Sequence, residues 1–120
     1  MNRAIITTSP NGLNTNILPY RLFQKAKHLG VWDPQSIDFS QDVEDWQTLT
    51  PEQQRATLRL VSQFQAGEEA VTVDLLPLIM TIAQEGRLEE EMYLTSFLFE
   101  EAKHTEFFRL FLNAIGETRD

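Results

Sequence analysis

The sequence predicts an all-α protein built on two long antiparallel helices with short helices ahead of them. Three observations predict it. Leu58, Val61, Phe64, Glu68, Val71 and Leu75 recur at three- and four-residue steps, and Leu94, Phe97, Leu98 and Phe108 do so again further on. Helix punctuation falls where these runs need it, with Thr50-Pro51 at the first start, Gly86 between the runs and Gly116 after the second. No stretch alternates with the period of two that a half-buried strand requires.

Residues 1–18 carry Thr-Thr-Ser-Pro-Asn-Gly and Asn-Thr-Asn, which read as turns or extended chain, expected either to wrap a core made elsewhere or to stay mobile. The half-bundle itself is expected over residues 19–120. A short amphipathic helix is expected from Pro19 to Leu29, with Pro at its start and Gly30 as its C′ stop. Trp32-Asp33-Pro34 opens a connector, because the residue before proline is pushed out of the helical region. Ser40 or Asp42 is the candidate cap of a second short helix ending near Leu49. Thr50 and Gln53 form a capping box around Pro51 and start the first long helix. Pro77 is expected to kink or end that helix, since it lacks an N–H and its ring meets the preceding turn. Arg87 to Ile115 forms the second long helix.

Composition narrows the function. A length of 120 residues allows one domain with a modest core. A net charge of −8 argues against nucleic-acid backbones and anionic membrane surfaces as partners. Without cysteine there is no disulfide, thiolate zinc site or iron–sulfur cluster. The longest apolar stretch, Leu75 to Ala83, is broken by Pro77 and Thr81 and is too short for a membrane span. The start lacks the basic-then-apolar pattern of a signal peptide, so a soluble, cytoplasmic protein is expected.

The chemistry centres on Glu101 and His104, three residues apart and therefore on one helix face, one turn from each other. Apolar side chains surround that face, and an ionised carboxylate there is costly unless a positive group meets it. Glu68 is a second carboxylate among Val61, Phe64, Val71 and Leu75, whereas Glu69 has milder neighbours. Glu68 stands roughly 18 residues before the Gly86 turn and Glu101 roughly 15 after it, so an antiparallel pair brings them to similar height at about 1.5 Å per residue. Two carboxylates and an imidazole suit manganese or iron better than structural zinc. A Glu-x-x-His alone is better read as a buried hydrogen-bonded pair, or as a helix turned so that both residues reach solvent. The matching Glu68 is what tips the reading towards a metal. His28, Tyr20 and Tyr93 are read as end-of-helix and packing residues, and Phe64, Phe97, Phe99, Phe107, Phe108 and Phe111 mostly as core. Glu85, Glu89, Glu90 and Glu91 read as a solvated face.

Trp32-x-Pro34, Ile37-Asp38-Phe39-Ser40-x-Asp42, Leu49-Thr50-Pro51-Glu52, Glu68 and Glu101-x-x-His104, in that order, resemble the small subunit of ribonucleotide reductase. The resemblance implies a ferritin-like helical bundle in which Glu68, Glu101 and His104 hold one metal and help bridge to a second. The usual radical tyrosine would stand one turn after the histidine, where this sequence has Phe108, and the first ligand is Glu rather than Asp. Together with Val71, these features are similar to the ligand-binding oxidase branch. That branch implies a manganese/iron cofactor (alternatively two irons), a bound long-chain fatty acid, dioxygen as oxidant, a homodimer, and an ether cross-link from Val71 to a tyrosine outside these residues. Trp32 matches the tryptophan that relays electrons in the reductases, or is a packing anchor.

The family's second Glu, second Glu-x-x-His and cross-linking tyrosine have no counterpart here. The chain therefore reads as the N-terminal half of a bundle whose C-terminal half lies elsewhere. The other route to completion is a pair of copies, which would supply four Glu and two His. The alternative functions are the radical-generating subunit of a ribonucleotide reductase and a non-catalytic metal-binding helical module.

Overall fold

In a computed structural model, which describes residues 5–10 and 12–117, the chain forms four α-helices and no strand among the described residues. They are α1 (Leu18–Leu29), α2 (Ser40–Thr48), α3 (Pro51–Gln84) and α4 (Leu88–Ala114), with a 3-10 turn at Pro34–Ser36 between α1 and α2. Residues 1–4, 11 and 118–120, which belong to the expected N-terminal segment and the end of the expected half-bundle, lie outside this description. Ile5 to Ser9 closes into turns through Thr8 and Ser9, whose hydroxyls donate to the carbonyls of Ile5 and Ile6. The segment is tied down by the Asn14 N–H, which donates to Glu89 Oε1 at 2.7 Å.

Helix α3 begins as its sequence dictates. The Thr50 hydroxyl accepts from the Gln53 N–H, and the Gln53 side chain accepts from the Thr50 N–H. It runs on to Gln84 with Pro77 inside it, so of the expected kink or stop the stop does not occur. An interior proline costs about 3 kcal/mol through its missing hydrogen bond and ring clash. Leu75, Ile82 and Ala83 are buried around it, and burial at about 2 kcal/mol per large aliphatic side chain is enough to carry the helix through. Gly86 (φ 74°) and Gly116 (φ 84°) take left-handed conformations after α3 and α4. Gly30 does not. Its φ of −87° suits any residue, and it is glycine for a different reason described below. Nor do Ser40 or Asp42 cap α2. Phe39 holds the cap position, and the Asp38 carboxylate closes the preceding turn by accepting from Ser40 N and Oγ.

Helix α4 is the central element: α3 packs antiparallel along it, and α1 and the 3-10 turn also rest on it. Trp46, Val61, Leu112 and Ile115 form a small buried cluster, with Leu49, Leu58, Phe108 and Phe111 packed around it. The molecule measures 62 × 26 × 20 Å, with a radius of gyration of 19.3 Å. A compact domain of this length would have a radius near 14 Å. Such elongation leaves apolar faces in solvent. Phe64, Phe97 and Phe99, expected in a core, are exposed, as are Leu60, Val71 and Val73. Phe64 stacks on Phe108 yet stays half open, and the others lie on helix faces left exposed among the described residues.

Candidate metal centre

The antiparallel pairing of α3 and α4 brings Glu68 opposite Glu101 and His104. His104 Nδ1 lies 3.3 Å from Glu68 Oε2 and 3.9 Å from Glu101 Oε2. One ligand atom from each residue falls within 4.8 Å of the others. The Glu101 side chain is 12% exposed, Glu68 20% and His104 41%, so the carboxylates are the more enclosed members. Glu68 is further fixed by its helix, where its carbonyl accepts from the Thr72 hydroxyl.

Electrostatically the cluster is incomplete. Glu101 Oε2 is buried and has no hydrogen-bond partner among the described residues. Two ionised carboxylates cannot donate to each other. They are reconciled by a shared proton or by a cation. The pKa of Glu101 is accordingly raised, first by the hydrogen bond that a proton shared with Glu68 would make and then by burial, with His104 acting the other way. A buried acceptor aimed at a second carboxylate, with an imidazole beside both, fits a divalent metal with oxygen and nitrogen preference.

The neighbouring Glu100 is settled within the chain. Its carboxylate accepts from Trp32 Nε1 at 2.8 Å and pairs with Lys103 Nζ at 2.5 Å. Burial pushes its pKa up, but Lys103 and Trp32 outweigh burial and hold it below the ordinary value. Lys103 is itself buried. Its ammonium also donates to the carbonyls of Gly30 and Trp32, at 3.1 and 3.3 Å. A Cβ on Gly30 would lie 2.7 Å from the Ala26 carbonyl oxygen, in the last turn of α1 itself, and 3.2 Å from Glu100 Oε2 on α4, so the tight end of α1 requires glycine there first and the approach of Glu100 second. Sequence reasoning chose Glu101 as the ligand and missed that Glu100 and Lys103 clamp the Trp32 loop. The Glu100/Lys103 spacing of three was the available signal.

Two cavities have Glu101 in their walls. One, of about 390 Å³, is lined by Leu60, Gln63, Phe64, Gly67, Glu68, Val71 and Glu101. Val71 thus shares a cavity with two of the candidate ligands, although it is 40% exposed. The other, of about 290 Å³, holds Tyr93, Phe97, Glu101 and His104 among its walls. Phe108, one turn after His104, stacks on Phe64 with ring centroids 5.9 Å apart. The Trp32 ring lies 5.9 Å from that of His104. Glu85 and Glu90 pair with Arg87 near the α3–α4 turn, away from this cluster. No helix among the described residues is long and apolar enough to cross a membrane.

Residues 21–120 match the family model described as ribonucleotide reductase, small chain. Among solved structures, an R2-like ligand-binding oxidase from Sulfolobus acidocaldarius is 46% identical with a TM-score of 0.88, over 95% of this chain and 41% of that one. A tyrosine-to-phenylalanine variant of R2-like ligand-binding oxidase, with aerobically reconstituted Mn/Fe cofactor, is 41% identical with a TM-score of 0.91, over 97% and 42% of the two chains. A valine-to-leucine variant with the same kind of cofactor is 43% identical with a TM-score of 0.87, over 92% and 40%. The chain spans about two fifths of the length of these structures.

Proposed function

The chain belongs to the ribonucleotide reductase small-chain family, with its ferritin-like helical fold, and from that premise we propose that it forms the N-terminal half of a dioxygen-activating manganese/iron oxidase. Glu68, Glu101 and His104 are the ligands this half contributes. The observation that carries the reading is the buried, unpartnered Glu101 Oε2 facing a second carboxylate, a pairing that a bound cation relieves. The similarity to oxidases reconstituted with Mn/Fe supports manganese and iron as the pair.

When bound, the metals supply the two-electron chemistry with dioxygen that oxidises a C–H bond. The chain's own residues have simpler tasks. Glu68 and Glu101 supply negative charge that favours higher metal oxidation states, and His104 supplies a neutral nitrogen. Phe64, Leu60 and Val71 keep the cavity beside the ligands apolar, which suits a fatty acyl chain and excludes bulk water. Val71 stands in that cavity at the place where the resemblance puts a cross-link to a tyrosine from the other half. Phe108 favours the oxidase over a tyrosyl-radical subunit, since the position one turn after His104 carries no phenol. The apolar faces left open on α3 and α4 are where the rest of the bundle docks, and a homodimer of complete subunits is the expected assembly.

The test is metal analysis with intact mass of the complete bundle, before and after oxygen. Bound manganese and iron, together with loss of two hydrogens mapped to the Val71 peptide, are the expected result. Unchanged mass at full metal loading would count against the oxidase.

A further inference from the structure

The ammonium group of Lys103 lies 4.7 Å from the centroid of the Trp32 ring and 5.0 Å from that of Phe99. It is buried, held by two backbone carbonyls of the Trp32 loop and by Glu100, so its place over the indole is fixed on several sides. The same indole donates its N–H to Glu100 Oε1 and lies beside His104. Trp32 is thus an oxidisable ring next to the candidate metal centre, with a fixed positive charge above its face and a carboxylate at its edge.

We infer that Lys103 is a positioning residue that holds Trp32 in place and keeps it from giving up an electron. Removing an electron from an indole creates positive charge on the ring. A carboxylate at the N–H favours that charge and an ammonium over the face opposes it. With Glu100 alone the indole would be primed for oxidation, and Lys103 cancels that help. A unit charge at this separation shifts such an equilibrium by roughly fourfold under water-like screening and by about a hundredfold or more under protein-like screening. In an oxidase this keeps oxidising equivalents at the centre for the bound ligand instead of leaking them through Trp32. The inference goes beyond the proposed function and stands without it, because charge and distance alone carry it.

A metal-free experiment keeps the two separate. Photogenerated tris(bipyridine)ruthenium(III) takes one electron from the indole and returns to ruthenium(II), the indole N–H proton passes to its acceptor and on to solvent, and dissolved dioxygen adds to the indolyl radical to give the stable oxidised residue. Peptide mapping scores oxidation at Trp32 relative to Trp46, which is buried in the hydrophobic cluster and serves as internal reference. Lys103→Met should raise the Trp32 to Trp46 ratio about tenfold, and Lys103→Arg should restore it to within about twofold. Glu100→Gln, which keeps an oxygen acceptor for the indole but leaves the ammonium uncompensated, should lower the ratio. Opposite signs are the signature of charge, since mere loosening of the loop would raise the ratio in both variants. A ratio unchanged in Lys103→Met, or raised in Glu100→Gln, overturns the inference. Should Lys103→Met fail to fold, the direction of the Glu100→Gln change decides alone.

Discussion

Glu100 and Glu101 are adjacent on α4 and meet opposite partners: Glu100 is paired with Lys103 and Trp32, and Glu101 faces Glu68. One carboxylate is neutralised by its own chain, and the other is left needing a cation. The difference follows from helix geometry, because successive residues on an α-helix point about 100° apart and meet different neighbours.

That contrast makes metal binding the first test of the site. Glu101→Gln should weaken manganese or iron binding by roughly tenfold or more, since even residues that only support metal ligands are worth that much. Glu100→Gln should leave occupancy within about twofold of wild type. Metal content after anaerobic loading and desalting checks both, and equal losses would mean that the wrong carboxylate has been assigned.

The same pair sets a pH dependence in the metal-free protein. The folded pKa of Glu101 is raised, so the folded state holds its proton more tightly than the unfolded chain does. Its contribution therefore falls as pH rises from the ordinary carboxylate range towards the raised value. Glu100, whose folded pKa is lowered, contributes in the opposite sense: its stabilisation is present above that range and is lost on acidification. Urea denaturation of wild type and Glu101→Gln in chelator, across a pH series, isolates the first effect. The advantage of Glu101→Gln should grow with pH. If the two curves run parallel, the carboxylates do not share a proton.

Gly30→Ala tests how tightly α1 ends against Glu100. Its Cβ would lie 2.7 Å from the Ala26 carbonyl oxygen in the last turn of α1 and 3.2 Å from Glu100 Oε2, so the end of the helix must shift and the Glu100 side chain must give way. A loss of about 1–3 kcal/mol is expected from such overpacking. Retention of full stability would show that α1 is free to move aside.

Pro77→Ala should stabilise α3. The proline is exposed and interior to the helix, and alanine restores an N–H donor and removes the ring clash. A gain of roughly 1–3 kcal/mol in denaturant unfolding is expected. No gain would mean that the chain's own curvature at Pro77 is needed for packing on α4.

Much of the helical plan was legible because its signals are local. The Thr50–Gln53 box, Gly86 and Gly116 act within a few residues of themselves, and the structure places them where the pattern does. The height match of Glu68 with Glu101 needed one added premise, a tight antiparallel turn. What could not be read depends on what packs against what. Gly30 does stop α1 as the pattern reads, but with a φ open to any residue, and its need for glycine comes from the tight last turn and from Glu100. Pro77 looked like a break, yet burial at Leu75 and Ile82 overrides it. Phe64 and Phe99 looked like core, but a helical period identifies a face without saying whether anything covers it. The role of Lys103 was hidden because its partners on the Trp32 loop lie some 70 residues away in sequence.

Because α1, the Trp32 loop and α3 all lean chiefly on α4, the molecule can open from one edge without coming apart at the other. Peeling α1 away would wet the lysine and free the indole, while the imidazole and the two acids across α3 kept their spacing. The slowest amides to exchange with solvent should then line the α3–α4 seam, and the fastest helical ones should lie in α1. A backbone laid out this way separates control of the tryptophan from retention of the ion.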